Sequence, residues 1–129
     1  MITLPNGVRV FNATPHPITF WREDWQDVVV VASDVAINAV PQEEPVDCLQ
    51  PYEAPDYENV WRVRTVFVGN DEGHEIIRQA KEAHAEVIVG SIIAAQAYPG
   101  KVCAMIPAPG YERVPPAEKR MRPDKFTIF

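Results

Sequence analysis

No pair of cysteines or histidines in this chain is spaced to hold a metal or to frame a small disulfide scaffold. Cys48 and Cys103 lie far apart, with no CxxC and no histidine close by, and they read as free thiols of a reducing cytosol. His16, His74 and His84 are scattered, and the last two, ten positions apart, do not share a helix face. Long apolar runs are missing too: the longest, Val87 to Ala95, is interrupted by Gly90 and Ser91, which excludes a membrane span. Met1 to Pro5 has no basic stretch leading into an apolar run, so no signal peptide is expected. There is no GxGxxG, P-loop or GxSxG, and catalysis has little support. Twelve Lys/Arg face eighteen acids, a formal charge of −6, which argues against DNA or RNA as a partner.

What is present is the composition of an ordinary folded domain. At 129 residues, 47% hydrophobic and 23% charged, the chain suits one domain, residues 1–129, with a single core. Thirteen prolines imply many fixed turns and short elements. The positive charge is gathered at one end. Residues 111–129 hold five Lys/Arg against three acids, leaving seven against fifteen elsewhere. A basic C-terminal segment on an acidic chain suits a compact anion better than a long polyanion.

Extended signals come first. Val8 to Phe11, Ile18 to Trp21 and Val28 to Ala32 read as three strands of a β-meander, with Pro15 and Pro17 forcing the first turn and Arg22 to Asp27 as a polar connection. Residues 41–59 carry Pro41, Pro45, Pro51 and Pro55 with six acids and no base, which predicts a long solvated loop that has a task or meets a neighbouring subunit. Trp61 to Val68 returns to strand character. Its alternation sets Arg62 and Arg64 on one face, about 7 Å apart. Ile76, Ile77, Ala80, Ala83 and Val87 recur at helical spacing behind a cap at Asn70 or Asp71. Val87 to Val89 fits a strand or the end of that helix. Gly90-Ser91 opens a second helix, Ile92 to Tyr98, stopped by Pro99-Gly100, and Val102 to Ile106 reads as the last core strand. The expected fold is α+β, an antiparallel sheet with about two helices.

Each candidate for chemistry has a bland counterpart. His16, beside Asn12 and Thr14, suits a base or a rigid capped turn. Gly90-Ser91 suits a phosphate seat or a plain N-cap. Arg62 and Arg64 suit a pyrophosphate, through forked charge-assisted hydrogen bonds, or a solvated face paired with the acids of residues 41–59. Arg113, Arg120 and Arg122 suit an anion or a soluble tail. Met121 and the apolar end Phe126 to Phe129 indicate that this tail docks somewhere.

The opening VFNATPHPITF, the segment SIIAAQAYPG and the spacing of Arg113, Met121 and Arg122 resemble the first family of phage Thoeris anti-defence proteins, which sequester cyclic ADP-ribose isomers. The resemblance spans nearly the whole chain through short motifs. It implies a homo-oligomer, a dimer or a hexamer built from dimers, with a recessed nucleotide pocket at a subunit interface and a separate site for cyclic tri-nucleotides. It implies ligand contacts from Arg62 or Arg64, Gln96, Arg113, Met121 and Arg122. One departure stands out. Where the family carries an aromatic stacking residue, ten positions before Gln96, this chain has Glu86, so stacking falls to another ring such as Tyr98 or Trp61.

The expectation is therefore a stoichiometric sponge of the host bacterial cytosol that binds a cyclic nucleotide signal without cleaving it and needs no cofactor. A small phosphohydrolase using His16 and Asp34 is one alternative. A virion or regulatory protein acting through contacts of the 41–59 segment is the other.

Overall fold

The computed structural model describes residues 1–49 and 60–129. Among these residues the fold is α+β, with nine strands and two α-helices, as the sequence predicts. The first sheet joins β1 (Ile2–Thr3), β2 (Arg9–Asn12) and β7 (Val87–Val89), with β2 and β7 parallel. The second runs β4 (Val29–Val31), β3 (Ile18–Phe20), β9 (Met121–Thr127), β8 (Ala104–Pro107). β5 (Val40–Leu49) and β6 (Val60–Val68) form a separate antiparallel pair. The helices are α1 (Asp71–Glu82) and α2 (Ile92–Ala97).

Two elements correct the sequence reading. The three N-terminal strands are no meander, because β2 lies in the first sheet while β3 and β4 lie in the second. The turn between them carries the chain across. Asn12 is fully buried, donates from Nδ2 to the carbonyls of His16 and Val31 at 2.8 and 3.0 Å, and accepts from Thr14 N and Oγ1 at 3.0 and 2.7 Å. A fully satisfied amide of this kind fixes one backbone path. The loop expected over 41–59 is, as far as Leu49, the strand β5. The prolines suggest a loop, but among the described residues β5 has β6 as its one partner, and proline is tolerated on an edge strand because its missing N–H faces outward. The rest of that predicted loop, 50–59, lies outside the described residues.

The first sheet divides the interior. Leu4, Val10 and Val89 pack with Ile18, Phe20 and Val31 of the second sheet, while Ile88 turns to the other side, among Ile77, Ala80, Ala94, Ala95, Tyr98 and Val102. The open question at 87–89 resolves as a strand, since alternation along it sends neighbouring side chains to different cores. The turn from β7 into α2 is tightly packed: a Cβ on Gly90 would stand 2.7 Å from Val102 Cγ1 and 3.2 Å from Ala94 Cβ. Asn70 caps α1, accepting from Gly73 N at 2.8 Å, and Ser91 caps α2, accepting from Ala94 N at 3.1 Å. Among the described residues no helix is long and apolar enough to cross a membrane.

Candidate anion-binding site

The basic C-terminal segment docks as a strand. β9 pairs antiparallel with β8 and meets β3 in parallel at Phe20 and Met121, where Trp21 N donates to Met121 O at 3.0 Å. Ala108 N donates to Arg120 O at 2.8 Å and draws the chain after β8 over the same end. Trp21 and Arg22, leaving β3, thereby come beside Arg122 and Asp124 of β9. Together with Glu23 and Pro109 they line a hollow of about 180 Å³.

Each arginine of this hollow is forked by an aspartate two positions on. Arg122 donates from Nε and Nη2 to Asp124 at 3.0 and 2.9 Å, and Arg22 donates likewise to Asp24 at 2.5 and 2.7 Å. In the extended chain of β9, residues i and i+2 share a face, so Arg122 and Asp124 pair locally; Arg22 and Asp24 pair instead within a turn closed by Trp25 N, which donates to Arg22 O at 2.8 Å. Asp124 is held below the ordinary carboxylate range, chiefly by its hydrogen bonds from Arg122 and further by the charges of Arg122 and Arg22. Asp24 is lowered in the same way, first by Arg22. The two guanidinium groups of the hollow are therefore paired with two ionised aspartates at neutral pH, Asp124 in its wall and Asp24 beside Arg22, and Glu23 adds a third carboxyl group to the lining. Each fork uses two of the five N–H groups of a guanidinium and leaves three for a further acceptor.

Trp21 supplies the aromatic wall. Arg120 stacks over its ring, with the guanidinium carbon 5.1 Å from the Trp21 centroid and 5.0 Å from that of Tyr111, and the two rings meet edge to face at 5.9 Å. Cation–π contacts on two rings hold Trp21 in place, and Trp21 borders the hollow that Arg122 shares.

The residues named from sequence are not all gathered there. Arg122 lines the hollow. Met121, next along the strand, packs with the second-sheet core beside Phe20, and Arg113 is exposed in the turn after Tyr111. Arg62 forks Asp47 across the β5–β6 pair, and Arg64 stands opposite Glu44, which is the bland pairing weighed for that strand. Gln96 is exposed on α2. Among the described residues no hydrogen bond or ion pair joins Arg62, Arg64 or Gln96 to the Arg122 hollow. Of the proposed stacking rings, Tyr98 is 1% exposed and occupied with Asn70, whereas Trp61 is exposed on β6. Around His16 the contacts are those of a turn: its carbonyl accepts from Asn12 and Thr14. Asp34 accepts from Asn12 N at 2.9 Å and pairs with the Met1 ammonium. Neither His16 nor Asp34 lines the hollow with Arg122.

Sequence reasoning missed Trp21 and Arg22, which it assigned to a strand end and a polar connection. The repeated Arg-x-Asp spacing at 22–24 and 122–124 was the available signal. Comparison with protein-family models, curated proteins and solved structures finds no match to this chain.

Proposed function

We propose that this protein binds and holds a cyclic, pyrophosphate-bearing nucleotide of the cyclic ADP-ribose class without cleaving it, and so withdraws an antiviral signal in the host bacterial cytosol. The observation that supports this reading is the meeting of Trp21, Arg22 and Arg122 around one hollow. A base or ribose face stacks on the indole, and the two guanidinium groups offer their remaining N–H donors to the phosphates. Among the described residues, the walls of the hollow contain carboxylates but no Ser, Cys or His to act as a nucleophile, which favours retention over turnover.

A hollow of about 180 Å³ is smaller than ordinary small-molecule pockets, which start near 300 Å³. A whole cyclic ADP-ribose therefore needs a second wall. In this proposal a neighbouring copy supplies it, and Arg62, Arg64 and Gln96 contribute from there. Cyclic tri-nucleotides occupy a separate site between subunits.

Isothermal titration calorimetry with cyclic ADP-ribose isomers tests the reading: a saturable heat at one ligand per chain or fewer is expected, and absence of heat with every isomer overturns it. Ligand recovered intact after heating the complex separates a sponge from a hydrolase. A protein-contact role for the β5–β6 pair predicts instead that no nucleotide binds while alteration of that pair abolishes action in the infected cell.

A further inference from the structure

A second hollow, of about 460 Å³, opens on the outer face of the second sheet and shares no lining residue with the first. Phe20 and Met121 are partners across β3 and β9 and both pack inward. Alternation therefore turns Thr19, Trp21, Arg120 and Arg122 outward together. Trp21 and Arg122 wall the first hollow, while Thr19 and Arg120 wall the second. The chain before β9 supplies the rest. Pro116, whose ring pre-sets a helical φ, opens the 3₁₀ turn Pro116–Glu118, and this turn brings Glu118 and Lys119 into one lining with Tyr111 and Val114.

The state of Arg120 sets this hollow apart. Arg22 and Arg122 each spend two N–H groups on an aspartate. Arg120, half-buried as they are, is held by ring faces instead, 5.1 Å from Trp21 and 5.0 Å from Tyr111. Among the described residues its guanidinium donates to no acceptor. A cation–π contact steadies the plane of a guanidinium and leaves its edge, where the five N–H groups lie, unspent. Beside it, the Lys119 ammonium gives one of its three protons to the Glu112 carbonyl at 3.3 Å and keeps two. Thr19 and Tyr111 each add a hydroxyl to the lining residues.

This lining selects the chemistry of its ligand. Lys119 and Arg120 face one acid, Glu118, so the hollow is positive although the chain carries −6. A carboxylate or a phosphodiester brings a single negative charge. A phosphomonoester brings about −1.5 to −2 at neutral pH on three acceptor oxygens, and so matches both cations while taking an arginine fork and an ammonium together. The volume falls within the range of small-molecule pockets, which starts near 300 Å³, leaving room for an organic body against Val28 and Val114. We propose that the Lys119–Arg120 hollow binds a small phosphomonoester, a nucleoside or sugar monophosphate. The site is built within one chain, and it stands or falls independently of the cyclic ligand proposed for the Arg22–Arg122 hollow.

Calorimetric titration of the full chain with adenosine monophosphate tests it, beside cyclic adenosine monophosphate, a diester, and inorganic phosphate, which lacks the organic body. Adenosine monophosphate is expected to bind once per chain with a Kd below about 1 mM, roughly tenfold tighter than the diester and tighter than inorganic phosphate. Arg120→Gln, and separately Lys119→Gln, should weaken it roughly tenfold. Arg78→Gln, which removes the same charge from α1, should keep the wild-type affinity. Absence of saturable heat overturns the proposal, as does equal affinity for the monoester and either comparison compound, or an equal loss in all three variants. Arg120 also steadies Trp21, so its removal can disturb the fold. The wild-type chain then decides: the Arg120 Nε–H resonance is expected to shift saturably with adenosine monophosphate, and a shift confined to Arg22 and Arg122 refutes the site.

Discussion

The phenol oxygen of Tyr98 stands 1.8 Å from the point where a Cβ on Gly73 would lie, and the ring carbon Cζ stands at 2.4 Å. The ring is buried, its hydroxyl accepts from Asn70 N at 2.9 Å, and His74 meets it edge to face at 5.0 Å. Tyr98, past the end of α2, thus locks the first turn of α1. Two effects oppose each other on Gly73→Ala. Helix propensity favours alanine by about 1 kcal/mol, whereas forcing extra volume into a filled site costs about 1–3 kcal/mol. Overlap this deep also breaks the Asn70 contact, so the variant is expected to lose about 2 kcal/mol in urea unfolding. A gain in stability would mean that the ring has room to withdraw.

His84 is the one non-glycine residue with positive φ among the described residues, at 67°. It follows the C-cap Ala83 of α1, and the bonds from His84 N to Lys81 O and from Ala85 N to Ala80 O, both 3.0 Å, form the Schellman closure in which glycine is the usual residue. Left-handed backbone costs a residue with a Cβ about 1–2 kcal/mol. His84→Gly is therefore expected to stabilise the protein by about 1 kcal/mol in denaturant titration. A loss of similar size would reveal a contact of the imidazole that outweighs the backbone strain.

The local parts of the fold were legible, and the long-range parts were not. Ser91 and Asn70 announce helices because capping is chemistry within three residues, and β6 announces itself through branched side chains. β5 was hidden by Pro41, Pro45 and its acids, since only its edge position makes them tolerable. Trp21 and Arg22 look like a connection until β3 meets β9, a pairing that joins residues about a hundred positions apart. The Arg62 pairing with Asp47 was legible as an option, yet its register depends on a bulge between Pro45 and Asp47 that no local rule specifies.

Acid should act on the site in a definite direction. The folded values of Asp124, Asp24 and Asp47 are lowered, each first by hydrogen bonds from its arginine. Such pairs contribute stability above the unfolded carboxylate range and lose it as pH falls through the folded values. All three are exposed to solvent and screened, so the effect is small and shrinks with salt. From about pH 6 to pH 8 none of these groups titrates, and nucleotide affinity at the Arg22–Arg122 hollow should be flat. Calorimetry in two buffers of different ionisation heat checks this. Uptake or release of a full proton would place a histidine in the site and displace the present assignment.

Charge at the hollow can be adjusted from both sides. Arg122→Ala removes one phosphate fork and leaves Asp124 unopposed, so affinity for a cyclic ADP-ribose isomer should fall by roughly tenfold to a hundredfold. Asp124→Asn keeps the shape, frees the guanidinium and withdraws a negative charge from the approaching phosphate. It should raise affinity by roughly fivefold at low salt. The two substitutions thus move binding in opposite directions although both break the same ion pair. A purely structural role for the pair predicts that both weaken binding together. Because Arg22 faces the same hollow, Arg22→Ala should resemble Arg122→Ala, and the double variant should lose less than the sum if both arginines hold one phosphate. Additive losses would assign them to separate phosphates of the pyrophosphate, which the same titrations distinguish.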